Sequence, residues 1–254
     1  MLHEVWDLDE ARHSPHVARK RQLRIRGILR SALEIARREG REALTLSRVA
    51  KENGLTTSAL YRYFSSKDAL VAELQRSVIS ALAKATRERV AAADAFARQA
   101  AFSEADRALL GVTVSAFVFE EFSRCAPVEF GILSMDLSAP ESMLPDREAA
   151  HVFEAAWSAL SDLAEQLRTA QECDALGAGD AAERAVALWA GLQGVVQTRK
   201  LARSAPVRID STRIAHGLVS ALLIGWGATS EAANRMGDLT RTNGFAESLG
   251  NLGE

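Results

Sequence analysis

The side chains with the clearest chemical purpose lie between residues 45 and 67, where hydroxyl and cationic groups follow a helical spacing. Ala50 permits two short helices to cross closely, and Gly54 supplies the positive φ of a tight turn between them. The spacing predicts a helix-turn-helix whose second helix is placed for a DNA major groove, or else an αα-hairpin with a solvated polar face. The outer polar residues of that second helix can hydrogen-bond to base edges or phosphates, and they are Thr56, Thr57, Ser58, Tyr61 and Arg62.

Charge is distributed unevenly around this segment. The whole chain has 31 basic and 33 acidic residues, a net charge of −2. Residues 17–67 contain 13 Lys or Arg and 4 acids, so this segment carries +9 while the rest of the chain carries −11. Such a segment attracts a polyanion to one surface, and the acidic remainder repels it from others. Because a solvated basic helix has the same charge, the prediction depends on charge and motif together.

Sequence patterns typical of catalysis are lacking. The five histidines are scattered, with no HExxH motif, no Cys-His spacing for a metal and no glycine-rich phosphate loop. No serine lies in a GxSxG turn, and the adjacent acids Glu120 and Glu121 would point about 100° apart on a helix. We therefore expect no enzyme activity, no metal site and no cofactor.

The composition is that of an ordinary globular protein, with 254 residues of which 48% are apolar and 25% charged. Two cysteines, Cys125 and Cys173, are too few for a disulfide framework and suit a reducing compartment. The first residues lack the apolar core of a secretory signal, and the apolar run over residues 218–228 is shorter than the roughly 20 residues that span a bilayer. We expect a cytoplasmic protein without a membrane segment.

Apolar residues recur at helical spacing through most of the chain, which predicts an all-α fold. Helices are expected over residues 17–39, 46–53, 57–64 and 68–90. Later helices are expected to start at capping or proline residues, near Ser103, Pro127, Pro145, Asp180 and Ser211. Stretches rich in Pro, Gly and Ser predict connections over residues 138–144, 175–179 and 204–210.

The N-terminal residues resemble the TetR, or tetracycline-repressor-like, family of transcriptional regulators. The resemblance covers about residues 19–74 and begins with the basic first helix. It continues through five short stretches, Leu44-Thr45, Val49-Ala50, Gly54-Leu55-Thr56, Leu60-Tyr61-Arg62-Tyr63-Phe64 and Ser66-Lys67-Asp68-Ala69-Leu70. It implies a three-helix DNA-binding domain followed by a larger helical domain that binds a ligand and dimerises.

The resemblance also implies roles for individual residues. Tyr61 and Lys67 would contact phosphates, while the preceding helix would be fastened to the DNA backbone by Thr45, Ser47 and Arg48. Thr57, Ser58 and Arg62 would lie nearest the bases. Arg62 is suited to reading guanine, because its planar fork matches O6 and N7, and it is equally suited to gripping phosphate.

The basic residues before this domain belong to an N-terminal arm that is longer than the family minimum. Arg19, Lys20, Arg21 and Arg24 begin before or within the first helical turn. Two interpretations fit these residues. The arm either enters an adjacent minor groove or serves only as a solubilising basic terminus.

The second domain resembles one subset of these regulators more weakly, over residues 122–133, 188–195 and 214–225. Gly191 and Gly194 would allow close helix approach, and an apolar stripe with small residues follows in Ile214, Leu218, Ala221, Leu222 and Gly225. By resemblance, the last two long helices of each subunit form a four-helix dimer interface. A helix buried within one subunit is the alternative, although two recognition helices one duplex turn apart also require a two-fold axis and a pseudo-palindromic operator.

A small-molecule effector would enter a cavity among the middle helices. Its candidate apolar and aromatic lining comprises Phe117, Phe122, Phe130, Met135, Phe153, Trp157 and Trp189. Candidate polar anchors are Gln193, at a position where the subset often carries His, together with Thr113 and Ser115. Each of these residues is equally suited to ordinary core packing.

Taken together, these features predict a flexible N-terminal arm over residues 1–16, a helix-turn-helix domain over 17–67 and a connecting helix over 68–90. An effector-binding and dimerisation domain follows over 91–240, and a mobile tail over 241–254. We expect a homodimeric DNA-binding regulator of transcription, acting as a repressor and released by a small apolar or amphipathic effector. The alternative is a helical adaptor that binds proteins without DNA.

Overall fold

The computed structural model describes residues 15–137, 144–202 and 210–245. The chain divides into two compact units, one ending at Gln75 and the other beginning at Arg76. All regular structure among the described residues is helical, which confirms the predicted all-α fold. None of the helices in these ranges is long and apolar enough to cross a membrane.

The first unit is built from three helices and the start of a fourth. Helix α1 (Pro15–Glu39) leads through a short 3-10 turn (Arg41–Ala43) to α2 (Leu46–Glu52) and α3 (Thr57–Tyr61). The helical spacing predicts a buried stripe on α1 that begins at Ile25, and five of its residues are buried: Ile28, Leu29, Ala32, Leu33 and Ala36. Ile25 is only partly buried, and Ile35, which was not predicted, is fully buried. The third helix is three residues shorter than the predicted 57–64.

Two glycines end or redirect helices in this unit. Gly40 follows α1 with a φ of +85°, and Gly54 makes the turn between α2 and α3 with a φ of +63°. Both conformations are strained for other residues because a Cβ would clash with the backbone. Ala50 of α2 and Leu60 of α3 are buried, and so is Phe64, three residues after α3 ends. The predicted helix-turn-helix is therefore present.

The second unit contains most of α4 (Lys67–Gln99), followed by α5 (Glu104–Cys125), α6 (Pro127–Leu137) and α7 (Asp146–Glu172). It ends with α8 (Ala181–Ala202), α9 (Ser211–Gly225) and α10 (Ser230–Thr242). Helix α5 is central because it packs against all five helices that follow it. Residues 109–118 of α5 are consequently buried without interruption.

Capping residues explain where the later helices begin. Ser103 Oγ accepts a hydrogen bond from Asp106 N (3.1 Å), and Asp210 Oδ1 accepts one from Arg213 N (3.1 Å). The five predicted starts are found within one residue of their expected positions. The start of α10 was not predicted, although Gly227 has a φ of +110° and Thr229 caps the helix.

Two predicted boundaries are wrong. The connecting helix, expected over 68–90, continues to Gln99 because its last turns are packed, with Ala93 and Ala97 fully buried. The mobile tail was expected from residue 241, but α10 continues to Thr242 and the Phe245 ring meets Phe96 edge-on at 5.5 Å. The arm over 1–14, the tail beyond 245 and most of the predicted connections over 138–144 and 204–210 lie outside the described residues.

Candidate nucleic-acid interface and internal cavity

Helix α3 presents one polar face to solvent. Leu60 is fully buried and anchors the helix, whereas Tyr61 is 53% exposed and Arg62 is exposed beside it. Thr57 and Ser58 are exposed at its start. A five-residue helix held on one side by a buried leucine thus offers hydroxyl and guanidinium groups on the other. These are the donors and acceptors that base edges and phosphates bind.

The threonines at the two helix starts have a structural role as well. Thr45 Oγ1 accepts a hydrogen bond from Arg48 N (3.2 Å), and Thr56 Oγ1 accepts one from Ala59 N (3.2 Å). Ser47 Oγ lies 3.2 Å from Thr45 Oγ1. Because each hydroxyl has a single hydrogen, either Thr45 or Ser47 uses its hydrogen within this pair, while the other hydroxyl of the pair and that of Thr56 can donate to a phosphate.

Arg48 differs from the other predicted DNA contacts because two carboxylates already hold it. Its guanidinium lies 2.6 Å from Glu39 Oε1 at the end of α1 and 2.6 Å from Glu52 Oε2 on α2. Arg38 adds a 3.0 Å ion pair to Glu52. The hydrogen bonds with Arg48 lower the pKa of both carboxyls, and those with Glu39 and Glu52 raise the pKa of the guanidinium. Arg48 therefore ties α1 to α2.

The cations without a carboxylate partner lie elsewhere on this unit. Arg62 and Lys67 are exposed on or just after α3, and neither has an ion pair or hydrogen bond among the described residues. The same holds for five exposed cations on the N-terminal half of α1, which are Arg19, Lys20, Arg21, Arg26 and Arg30. These side chains are available to a polyanion.

The four basic residues considered for a minor groove are helical, in agreement with the helix predicted over residues 17–39. Arg19, Lys20, Arg21 and Arg24 all belong to α1, and Arg24 Nη2 donates to Asn53 O (3.2 Å) at the end of α2. A helix is about 10 to 12 Å wide and the minor groove about 6 Å, so this part of α1 does not fit that groove. Insertion of these four side chains into a minor groove from the surface of the helix stays a prediction.

A cavity of about 770 Å³ lies inside the second unit, among α4, α5, α6, α7 and α8. Four residues singled out from the sequence line it: Ser115, Phe153, Trp157 and Trp189. Phe153 and Trp157 follow each other by one turn of α7 and remain 44% and 56% exposed, so they form part of its rim. The dimensions are those of a site for a drug-sized molecule.

The cavity also has lining residues that were not predicted from the sequence. Helix α4 contributes Ile79, Leu82, Thr86 and Arg87, and α5 contributes Phe119. The sequence signal for the α4 residues is the apolar stripe of that helix. From the sequence, the helix is interpreted only as a connection between domains. Within the lining, Ser115 Oγ donates to Gln166 Oε1 (2.8 Å), and Arg87 pairs with Asp162 (2.7 Å) between α4 and α7.

Four predicted lining residues do not line this cavity. Phe122 is fully buried in the core, Met135 lies elsewhere on α6, and Gln193 Nε2 donates to Ser134 Oγ (3.3 Å). Phe117 stacks on the His216 ring at 3.9 Å between centroids. Burial there lowers the pKa of His216. These four assignments are corrected because none of the four side chains lines the cavity.

Two further residues that were predicted to line the cavity also belong to the core. Phe130 meets Phe119 and Phe122 edge-on at 5.6 and 6.1 Å, and Thr113 Oγ1 donates to Leu109 O (2.8 Å). Neither residue lines the cavity.

The residues predicted for a dimer interface remain at least partly exposed. Ile214 is 40% exposed, and Gly194, Ala221 and Gly225 are also exposed on α8 and α9. Leu218, Leu222 and Gly191 are partly buried where α8 and α9 meet. The exposed positions continue a stripe of small and apolar residues: Ala187, Ala190 and Gly194 on α8, and Ile214, Gly217, Ala221 and Ile224 on α9.

The two adjacent acids of α5 point in different directions, as the helical geometry predicts. Glu120 Oε1 is buried and accepts hydrogen bonds from Arg199 Nη2 (2.7 Å) and Thr212 Oγ1 (3.1 Å). Glu121 accepts from Arg124 and from the Cys125 thiol. The hydrogen bond to Glu121 raises the pKa of Cys125. The described residues contain no group of three or more possible metal ligands.

Comparison with known proteins places this architecture in a class of DNA-binding regulators. Residues 28–74 match the family model of bacterial regulatory proteins, tetR family, a range that covers the helix-turn-helix and the start of α4. The DNA-binding domain of the TetR family of transcriptional regulators is therefore present over these residues, which confirms the resemblance noted in the sequence. No curated protein matches the chain.

Solved structures share the fold over both units. One is a protein of unknown function from Rhodococcus sp. RHA1, with 19% identity and a TM-score of 0.61 over 80% of this chain and 95% of that chain. RolR in complex with resorcinol has 13% identity and a TM-score of 0.57, covering 87% and 95%. SmeT, the repressor of the Stenotrophomonas maltophilia multidrug efflux pump SmeDEF, has 17% identity and a TM-score of 0.53, covering 80% and 89%.

Proposed function

We propose that this regulator is a homodimeric repressor that binds a pseudo-palindromic operator and is released by a small apolar or amphipathic effector. The observation that carries the DNA-binding part is the solvent-facing polar side of α3, held in place by the buried Leu60. Arg62 and Lys67 have no partner among the described residues, whereas Arg48 has two. We assign base reading to Thr57, Ser58 and Arg62, and phosphate contacts to Tyr61 and Lys67.

The remaining predicted contacts are assigned a supporting role. Thr45 and Thr56 cap the starts of α2 and α3, and Ser47 pairs with Thr45. Thr56 donates its hydroxyl hydrogen to phosphate, as does the hydroxyl that accepts in the pair of Thr45 and Ser47. Arg48 positions α2 against α1 through Glu39 and Glu52. Loss of Arg48 therefore weakens DNA binding indirectly, by loosening the unit that presents α3.

The proposed dimer forms through the exposed stripe on α8 and α9. Exposed apolar and small side chains at one-turn intervals suit a helix from a second copy, because they allow close approach and bury apolar area. A two-fold axis also gives the two recognition helices the spacing of one duplex turn that a palindromic operator requires. The proposed interface residues are Gly191, Gly194, Ile214, Leu218, Ala221, Leu222 and Gly225.

The effector part of the proposal rests on the cavity of the second unit. The solved neighbours include a protein holding resorcinol and a protein described as a repressor, which favours the same two roles here. Helix α4 provides the covalent route between binding and release, because it starts six residues after α3 and contributes Ile79, Leu82 and Thr86 to the cavity. A ligand releases DNA only if it binds the non-binding conformation more tightly.

The test is binding of the purified protein to fluorescent duplexes of the intergenic DNA upstream of its own gene, measured by anisotropy. We expect sequence-selective binding that Arg62→Ala weakens by about 5- to 150-fold, equivalent to roughly 1 to 3 kcal/mol. Arg168→Ala on α7 serves as the control, because Arg168 is an exposed arginine of the other unit. A random-sequence DNA pool identifies the operator if it lies elsewhere. Failure to enrich any sequence from that pool would refute operator binding.

A further inference from the structure

Resting on the proposed effector cavity, we infer the chemical class of its ligand. The cavity selects an uncharged molecule with an aromatic body and one hydroxyl or carbonyl group, and Ser115 and Gln166 recognise that group. The inference follows from the cavity walls, from the distribution of charge around them and from one polar pair within them.

The walls favour a flat ring system. Phe119, Phe153, Trp157 and Trp189 reach the cavity from three helices, and aliphatic side chains such as Leu82 fill the space between them. Aromatic side chains bind aromatic rings through stacked and edge-to-face contacts in addition to the apolar area buried. A volume of about 770 Å³ accommodates a ligand of at least two fused rings.

The charges around the cavity favour a neutral ligand. Arg87 and Asp162 lie in the lining but pair with each other at 2.7 Å, so neither is left to balance a ligand charge. The third ionisable residue of the lining, Glu154, has a side chain that is 84% exposed and therefore solvated. A charged group moved from water into this cavity would lose hydration without gaining a counter-ion.

One polar pair stands out from these apolar walls. Ser115 is buried, and its Oγ donates to Gln166 Oε1 at 2.8 Å. Thr86, the other hydroxyl of the lining, donates to its own helix at Leu82 O (2.9 Å). Within the described residues the Gln166 Nε2 group has no acceptor, and Ser115 Oγ still has a free lone pair. A ligand hydroxyl satisfies both groups, because it accepts from Nε2 and donates to Oγ.

The experiment uses four probes that share one ring system and differ in one substituent. They are 2-naphthol, 2-methylnaphthalene, the 2-naphthoate anion and the 2-naphthylmethylammonium cation. Isothermal titration calorimetry measures their affinity for the full-length protein. We expect 2-naphthol to bind about 2- to 12-fold more tightly than 2-methylnaphthalene, since a hydrogen bond that satisfies a buried group contributes about 0.5 to 1.5 kcal/mol. Both ions should bind more weakly than 2-naphthol.

Variants of Ser115 and Gln166 then test whether these two residues recognise the ligand hydroxyl. Ser115→Ala and Gln166→Leu should each remove most of the preference for 2-naphthol while leaving 2-methylnaphthalene bound. Thr169→Ala is the matched control, because Thr169 lines only a separate charged cleft that shares Gln166 with the cavity. Thermal melting establishes that each variant is folded, and a folded variant that retains the preference contradicts the assigned roles.

The remaining outcomes separate this inference from the proposed function. Equal affinity for 2-naphthol and 2-methylnaphthalene, or tightest binding of either ion, would overturn the ligand class while leaving an effector cavity in place. No binding of any probe would overturn the inference as a whole. DNA binding is measured separately, by anisotropy with operator DNA in the absence of probe. The result of that measurement does not depend on which probes bind the cavity.

Discussion

Gly191 on α8 lies directly against Leu218 on α9: a Cβ on Gly191 would come within 2.8 Å of Leu218 Cδ2. The absence of a side chain lets the two helices approach closely at this point. Both residues were predicted from the sequence to belong to a dimer interface. Their contact within one chain means that Gly191 sets the spacing of α8 and α9, and hence the shape of the surface they present.

This contact predicts a dependence between the two positions. Gly191→Ala gains helix propensity of up to about 1 kcal/mol, but in the wild-type background the clash with Leu218 should cancel or reverse the gain. In a Leu218→Ala background the same change should be stabilising. Urea denaturation of the four proteins at one fixed protein concentration measures the coupling. Equal effects of Gly191→Ala in both backgrounds would show that Leu218 does not restrict this site.

A charge in the exposed stripe of α8 and α9 should abolish the proposed dimer. Ala221→Glu places a carboxylate among exposed small and apolar residues, where a partner helix would bury it without a counter-ion. Sedimentation velocity should change from a dimer to a monomer at micromolar concentration. Ala95→Glu, at an exposed position of α4, provides the control and should remain dimeric. A dimer that persists in Ala221→Glu would place the interface elsewhere.

The basic half of α1 should contribute to the salt dependence of DNA binding. Replacing Arg19, Lys20 and Arg21 by Gln should reduce the slope of log affinity against log salt by up to about 0.9 for each phosphate that is no longer neutralised. The reason is counterion release, which scales with the number of phosphates that the protein neutralises. A control triple replacement uses three exposed cations of the second unit, Lys84, Arg168 and Arg241. An unchanged slope in the α1 variant would favour the alternative of a merely solubilising terminus.

Acid should weaken the link between α1 and α2. Hydrogen bonds from Arg48 hold the pKa of Glu39 and Glu52 below the ordinary value of 4.5. A carboxyl whose pKa falls on folding stabilises the folded state above its unfolded pKa, and this contribution is lost as pH falls through the folded pKa. Between about pH 5 and pH 3, the double variant Glu39→Gln, Glu52→Gln should therefore lose stability less steeply than the wild type. Urea denaturation across this range measures the slopes.

The matched control for the acid experiment is Glu88→Gln. Glu88 is exposed and its nearest cation, Lys84, lies 3.8 Å away, so its removal should leave the slope unchanged. If the Glu39 and Glu52 variant and the wild type have parallel profiles, the network around Arg48 does not stabilise the folded protein.

The buried ion pair of the second unit should be sensitive to loss of one partner. Glu120 is buried against Arg199 (2.7 Å), so Arg199→Met leaves a carboxylate without its counter-ion and should destabilise the protein by about 3 kcal/mol. The double variant Glu120→Leu, Arg199→Met should recover much of this loss, because no buried charge remains. Denaturation midpoints measure both changes. A double variant as unstable as the single one would mean that packing, and not charge, dominates at this site.

The sequence alone was sufficient to predict features that depend on residues close together in the chain. The α1 stripe from Ile28 to Ala36, the positive φ of Gly54 and the Ser103 cap each depend on residues within a few positions of one another. The polar face of α3 was predictable for the same reason, since Leu60 and Tyr61 are neighbours that a helix directs to different sides. The family resemblance added roles for these residues, and the match over residues 28–74 supports the family.

Only the tertiary structure decided which residues share a site. Phe117 and Phe119 are both apolar and two positions apart on α5, and nothing in their spacing distinguishes the residue that stacks on His216 from the one that lines the cavity. Helix α5 is surrounded on all sides, so its sequence has no polar face from which to infer orientation. Partners distant along the chain likewise determined the roles of Arg48 and Gln166, because an ion pair or hydrogen bond depends on where the other element packs.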